Sequence, residues 1–244
     1  MEAFSVLVIL HIIVGTIGLV AFWVPISTKK GAKNHRNGGK LCCYGFIAAG
    51  ALAVAMAVLS IIDTTRHPEI LDRDLYLGLF GWMMLYLGIL TIGFADYGLA
   101  VVRHSREREK LRGWRYQGVM AVVVISGAYC GYYGYLIGNA LMMALSILGI
   151  ASMAIQQVFV WRSATPSPKT YIGEHFRALI GMGISAYTAF MSVGLIRVVP
   201  EHVFNPLIWA GPSVIGVSLI IWFTHQGKKQ TKRTASGKQS AMRA

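Results

Sequence analysis

Seven long apolar runs, separated by short connections rich in Lys and Arg, constrain this chain more than any other feature. A helix needs about 20 apolar residues to cross the hydrocarbon core of a bilayer. The windows that meet or approach this length are 3–26, 41–62, 75–102, 118–137, 141–161, 176–199 and 207–224. Unpaired backbone groups are costly in lipid, so each window is expected to be a helix. The sequence therefore predicts an all-α, polytopic transmembrane bundle of about seven helices.

Composition excludes the two classes that a strongly basic chain would otherwise suggest. With 55% hydrophobic and 14% charged residues, the chain is too apolar for a soluble globular domain. The net charge of +13 is typical of nucleic-acid-binding proteins, but here the basic residues stand in short blocks between apolar runs and form no recognisable reading module. The partner that this pattern predicts is the lipid bilayer, and no nucleic acid is expected.

The distribution of positive charge predicts the orientation of the chain. Of the 23 Lys and Arg residues, 20 fall on one side of the predicted bundle, and only Arg66, Arg73 and Arg197 fall on the other. Basic connections stay in the cytoplasm, so the N-terminus is expected outside and the C-terminus in the cytoplasm. Residues 1–226 then form a seven-helix transmembrane domain. Residues 227–244, which lack an apolar period, are expected to be a basic disordered cytoplasmic tail.

The fourth predicted helix carries a face of small residues. Gly127, Gly131, Gly134 and Gly138 step by four, three and four residues, which places them on one side of a helix. Such a face lets another helix approach closely. The partner helix is either a neighbour in the same bundle or a helix of a second copy or another membrane protein. The connection at residues 138–140 is so short that the fourth and fifth helices must be antiparallel neighbours.

His11 is an ionisable side chain well inside the first predicted span, where such groups are costly and call for a functional hypothesis. Gly15 and Gly18 follow it, so the backbone one and two turns onward is open to a flat ligand or to a helix. A neutral imidazole at this depth can bind haem iron or another metal, or accept a proton. The alternative is a histidine that is hydrogen-bonded between helices and binds no ligand.

Asp96 is the second such group and lies near the basic end of the third span. A lone carboxylate at that depth needs a partner or must become neutral. The arginines expected to reach it are Arg36, Arg103 and Arg177. A structural ion pair and a proton relay remain alternatives, and the amides of Gln156 and Gln157 are expected either to join this polar cluster or to bond between helices.

Histidine recurs beside arginine in the basic connections, as His35-Arg36, Arg103-His104 and His175 with Arg177. Together these side chains can bind a phosphate, a haem propionate or an acidic lipid headgroup through charge-assisted hydrogen bonds. Their spacing forms no zinc motif. The sequence contains no phosphate-binding glycine loop and no nucleophile elbow, so enzymatic hydrolysis or nucleotide-driven chemistry is not supported.

Several of these residues occur in motifs. His11 with Gly15 and Gly18 marks the first span, and residues 35–40 read HRNGGK. The last two spans carry His175, Met182, Tyr187, Ala189-Phe190, Pro206, Trp209 and Pro212. In these motifs the chain resembles a bacterial family of multi-span membrane proteins whose activity is not established. The resemblance implies the multi-span fold, the bacterial cytoplasmic (inner) membrane, and importance for His11, His35, Arg36 and His175.

Three functional hypotheses follow. The first is a haem- or quinone-linked redox or respiratory assembly protein, with His11 as a haem ligand and the His/Arg connections as further contacts. The pairing of histidine with arginine is also similar to membrane haem-handling and cytochrome-oxidase assembly proteins. The second is a proton-coupled small-molecule transporter that uses Asp96, Gln156, Gln157 and a kink at Pro212. The third is a non-catalytic scaffold or sensor whose glycine face binds a partner helix.

Overall fold

The computed structural model describes residues 2–63, 72–105, 107–162, 166–194 and 206–241, and these contain no strand. The seven long helices are α1 (Glu2–Ser27), α2 (Lys33–Ile62), α3 (Arg73–Arg103), α4 (Trp114–Leu136), α5 (Ala140–Trp161), α6 (Pro168–Ala189) and α7 (Pro206–Ala241). The structure therefore confirms the all-α prediction and its number of helices.

Six of the seven helices are long and apolar enough to cross a membrane; α6 is the exception. It begins at Pro168, eight residues before the predicted window, and its first turns include Lys169, Glu174 and Arg177. These charges lower the hydropathy of the helix. The far end of the predicted window, residues 195–199, lies outside the described residues.

The last helix is longer than composition suggests. The backbone of α7 remains helical to Ala241, whereas a disordered tail is expected from residue 227 onward. Lys, Arg, Gln and Ala have favourable helix propensity, and residues 227–241 contain no proline, so a helix that begins in the apolar segment can continue into the tail.

The third helix is irregular at its start and central in the bundle. Its first turn, Arg73–Tyr76, is α-helical, Leu77–Met83 is π-helical, and Met84–Arg103 is α-helical again. The Asp72 side chain caps the first turn by accepting a hydrogen bond from the Leu75 backbone N–H at 2.8 Å. In the most apolar window of α3, 56% of the residues are buried, more than in any other candidate span.

The backbones of α2 and α3 approach each other closely at a pair of glycines. A Cβ added to Gly50 would lie 2.9 Å from the carbonyl oxygen of Gly88, and one added to Gly88 would lie 2.8 Å from that of Gly50. Because neither residue has a side chain, the two backbones touch directly. Glycines also allow close helix contact elsewhere in the bundle, since a Cβ added to Gly45 of α2 would lie 3.3 Å from the Gly18 backbone of α1.

The glycine face of α4 packs inside this chain. A Cβ at Gly131 would meet Ser146, and one at Gly134 would meet Met142, both on α5. Gly127 lies against Tyr86 of α3 and Ile150 of α5. Gly138 differs from the expectation because it follows the end of α4 with a φ of +67°, where glycine is favoured, and serves the turn into α5.

Two arginines of the connection between α3 and α4 hold the end of α5. Arg108 Nη1 donates to the Phe159 carbonyl at 3.3 Å, and Nη2 donates to the carbonyl of Arg162. Arg112 Nε donates to the Val160 carbonyl at 3.1 Å. The last carbonyls of a helix lack intrahelical partners and carry partial negative charge, so two guanidinium groups satisfy and stabilise this end.

We expect Gly88→Leu to lower the stability of the bundle by about 1–3 kcal/mol, because the added side chain must displace the Gly50 backbone. The measurement is thermal unfolding of the detergent-purified protein. Gly118→Leu is the matched control, since Gly118 is exposed and a Cβ there meets nothing within 4 Å. Equal melting temperatures for the two variants would contradict the backbone contact.

Candidate functional site

Two histidines from different helices lie at the same end of the bundle, where α1 ends and α2 begins, which is called here the basic end. His35, on the first turn of α2, places Nδ1 3.0 Å from the carbonyl oxygen of Pro25. His175, on the second turn of α6, places Nδ1 2.7 Å from the carbonyl oxygen of Gly98. The two imidazoles are close enough to interact electrostatically. The fold thus joins two residues that are 140 positions apart in the chain.

The carbonyl contacts decide the tautomer of both rings. A carbonyl oxygen only accepts hydrogen bonds, so Nδ1 must carry the proton and donate it. In each neutral ring Nε2 then presents a lone pair, and neither Nε2 has a hydrogen-bond partner among the described residues. Ligating histidines are commonly held in this way, with one nitrogen on a backbone carbonyl and the other free to bind.

A buried carboxylate stands next to His175. Glu174 is only 5% exposed. The Tyr97 hydroxyl donates to its Oε2 at 3.3 Å, and Arg177 Nη2 donates to its Oε1. A buried carboxylate is stable only when it is paired and hydrogen-bonded, and these two contacts supply both. The basic end therefore combines two imidazoles with a carboxyl, a phenol and a guanidinium group.

Lys30 binds backbone carbonyls at the C-terminal end of α1, beside His35. Its ammonium donates to the carbonyls of Pro25 at 2.7 Å and Ile26 at 2.8 Å, and it lies 4.7 Å from the centre of the Phe223 ring. A cation at a helix C-terminus is favourable because it faces the unsatisfied carbonyls. Partial burial lowers the pKa of the Lys30 ammonium from its ordinary value.

His11 lies apart from this site. Its Nδ1 is 2.9 Å from the carbonyl of Ala49, which is 14 residues after His35 on α2, or about 21 Å along the helix. Gly18 follows on α1, and a Cβ there would lie 2.7 Å from the Phe46 ring of α2. A helix rather than a flat ligand fills the space beside these glycines. His11 is thus hydrogen-bonded between helices, and its role as a haem ligand stays a prediction.

Asp96 also lies outside the site, with a partner that was not anticipated. Its Oδ1 is 2.7 Å from Nη2 of Arg115, at the start of α4. The expectation of Arg36, Arg103 or Arg177 was wrong: Arg177 binds Glu174 instead, and Arg36 and Arg103 are exposed. Arg115, the second residue of α4, reaches Asp96 of α3 across the interface between these two helices.

The remaining polar groups are distributed between helices. Gln157 Nε2 donates to Gln117 Oε1 at 2.8 Å, an interhelical bond, while the neighbouring Gln156 is buried and its Oε1 has no partner among the described residues. His104 Nε2 lies 3.2 Å from the Tyr116 hydroxyl and does not join His35 and His175. No group of three or more His, Cys, Asp and Glu side chains in the described ranges is placed to hold a metal ion.

Glu174, Tyr97 and Lys30 belong to the site but were not predicted from the sequence. Glu174 precedes His175 directly and stands three residues before Arg177, a spacing that brings side chains together on a helix. This signal was available, but placing the start of the span at residue 176 left Glu174 in a connection. No sequence pattern indicates Tyr97 or Lys30. Tyr97 bonds to a side chain of another helix, and Lys30 bonds to backbone carbonyls at the end of α1.

The chain matches no protein-family profile, and searches of curated proteins and of solved structures find no similar protein.

We expect Glu174→Ala to destabilise the protein by about 1–3 kcal/mol, because it leaves the buried Tyr97 hydroxyl without its acceptor. The measurement is again thermal unfolding in detergent. The control is Glu107→Ala, which breaks an ion pair of the same spacing with Lys110 on the surface. Lys110 lowers the pKa of Glu107 through a hydrogen bond, yet exposed pairs of this kind contribute little. Equal losses in both variants would contradict the buried network.

Proposed function

We propose that this chain is a multi-pass membrane protein that binds a redox cofactor of the haem or quinone class at His35 and His175. The observation that carries the proposal is the pair of open Nε2 atoms, presented from two helices and oriented by the backbone carbonyls of Pro25 and Gly98. Such nitrogens can coordinate haem iron or accept a hydrogen bond from a quinol hydroxyl.

The surroundings favour these ligands over others. Two histidines alone do not complete a zinc site, which usually takes three or four protein ligands. Quinones exchange protons when they are reduced or oxidised, and Glu174 and Tyr97 are hydrogen-bonded titratable groups beside His175. The exposed Arg36 and the half-exposed Arg177 can pair with a haem propionate.

The two alternative functions have less support. A proton-coupled transporter would use Asp96, but Arg115 already neutralises that carboxylate in an ion pair. A scaffold that binds partners through the glycine face of α4 would need that face to be free. Side chains of α5 and α3 in the same chain occupy it instead.

We also propose that the basic end faces the cytoplasm of a bacterium, with the N-terminus on the other side of the inner membrane. The support is the charge asymmetry of the connections. Arg66 and Arg197, two of the three basic residues on the opposite side, lie outside the described residues.

Cysteine labelling tests this orientation. The native Cys42, Cys43 and Cys130 are buried and free, so an added surface thiol dominates the reaction with a membrane-impermeant maleimide. We expect Ser236→Cys to react in inverted membrane vesicles and Glu2→Cys to react in intact spheroplasts. The opposite pattern would reverse the proposed topology.

Histidine-to-asparagine variants test the binding site. The amide N–H₂ of Asn can replace the Nδ1 donor, but Asn has no atom at the position of Nε2. The detergent-purified full chain is titrated with haemin and, separately, with a short-chain ubiquinol. We expect one of the two to bind saturably, with an affinity at least about tenfold weaker in His35→Asn or His175→Asn.

The matched control is His225→Asn, which changes an exposed histidine of α7. It should leave binding unchanged, and the melting temperatures of all three variants should stay near that of the parent protein. Undiminished binding in the double variant of His35 and His175, or no binding of either ligand, would refute the proposal.

A further inference from the structure

A narrow cleft lies between α1 and α7, with α6 as its floor. Its volume is about 210 Å³. Its lining includes Phe22 and Trp23 of α1, Ile180 and Tyr187 of α6, and Gly211 and Leu219 of α7.

The wall of the cleft is almost entirely apolar. Its two polar side chains are engaged with one another, since the Trp23 indole N–H donates to the Tyr187 hydroxyl at 2.7 Å. That hydroxyl donates in turn to the Leu19 carbonyl at 2.9 Å. A ligand in the cleft therefore needs no polar atoms there, and polar atoms would find no partner.

The cleft opens toward lipid. The helices on either side of it are the least buried of the candidate spans, with 11% of the apolar window of α1 and 6% of that of α7 buried, against 56% for α3. Helices with so little protein contact lie at the periphery of a bundle, where their free faces meet the bilayer.

The size of the cleft favours an extended hydrocarbon chain over a macrocyclic ligand. Pockets that enclose drug-sized ligands occupy roughly 300–1,000 Å³, so this cleft is too small for a macrocycle. From Ile208 to Leu219 it follows α7 for about 16 Å at 1.5 Å per residue. A single extended hydrocarbon chain fits these dimensions.

One end of the cleft lies at nearly the same depth in the bundle as the histidine pair. Trp23 stands two residues before Pro25, whose carbonyl holds His35, and Ile180 stands five residues after His175, about 7.5 Å along α6. The nearby Lys30 already donates to two carbonyls and lies over Phe223, so it is engaged within the protein. The open groups are Nε2 lone pairs, which in the neutral rings bind an O–H donor and not a phosphate.

We infer that the cleft holds the isoprenoid tail of a membrane quinol, whose ring lies at the basic end with a hydroxyl donating to Nε2 of His35 or His175. The inference rests on the proposed function and selects quinol from its two cofactor classes. It concerns binding alone: the tail supplies affinity through buried hydrocarbon, and the histidines select the headgroup.

The test compares two quinols on the full-length protein in one detergent. One is a ubiquinol with two isoprene units, and the other has the same ring with a methyl group in place of the tail. Both are kept reduced under argon, and binding is followed by quenching of tryptophan fluorescence, to which Trp23 contributes. Gly211→Leu narrows the cleft without a clash, since a Cβ there meets nothing within 4 Å, and Gly118→Leu adds the same side chain to α4.

We expect the tailed quinol to bind the parent protein about tenfold more tightly than the tailless one. Gly211→Leu should weaken the tailed quinol about fivefold or more and leave the tailless one unchanged, while Gly118→Leu should affect neither. His175→Asn should weaken both. Because each ligand partitions equally into the detergent for all variants, comparison between variants isolates the protein's contribution.

Other outcomes separate the two proposals. If both quinols bind equally and depend on His175, or if only haemin shows this dependence, the proposed function stands and the cleft inference is overturned. Displacement of the tailed quinol by equimolar phosphatidylglycerol would likewise overturn it, by assigning the cleft to a phospholipid chain. Quinol binding that depends on Gly211 but not on His35 or His175 would overturn both proposals.

Discussion

Direct backbone contact between α2 and α3 at Gly50 and Gly88 is the constraint on which the rest of the bundle depends. Lipid chains are as apolar as leucine, so helices in a membrane associate through close packing and polar contacts more than through exclusion of water. A single Cβ at either glycine would separate the two backbones. With this contact made, α3 becomes the most buried candidate span, and α2, α4 and α6 pack around it.

Three histidines of the bundle make the same kind of hydrogen bond between helices. His11, His35 and His175 each donate Nδ1–H to a backbone carbonyl of another helix. A carbonyl oxygen has two lone pairs, and the helix uses only one, so it can accept a side-chain donor without loss of the helix hydrogen bond. Each contact joins two helices and also determines the tautomer. The same bond that stabilises the bundle thus prepares Nε2 for a ligand.

The basic residues have structural roles beyond orientation. Arg108 and Arg112 bind the last carbonyls of α5, Lys30 binds those of α1, and Arg115 neutralises Asp96. All four are near helix ends, where unsatisfied carbonyls or an acidic side chain are available. A cationic side chain in such a position can therefore satisfy the positive-inside rule and stabilise a helix terminus at the same time.

Hydropathy and spacing in the sequence determined the all-α architecture, six of the spans and the antiparallel contact of α4 with α5, because these depend on the local balance of apolar and polar residues. They also predicted that His35, His104 and His175 act together at the basic end. Only the tertiary structure separated His104 from the other two, placed Glu174 and Tyr97 beside His175 and paired Arg115 with Asp96. The physical reason is that each of these contacts joins residues on different helices, whose rotation and depth depend on packing at points such as Gly50 and Gly88, and no local pattern encodes that geometry.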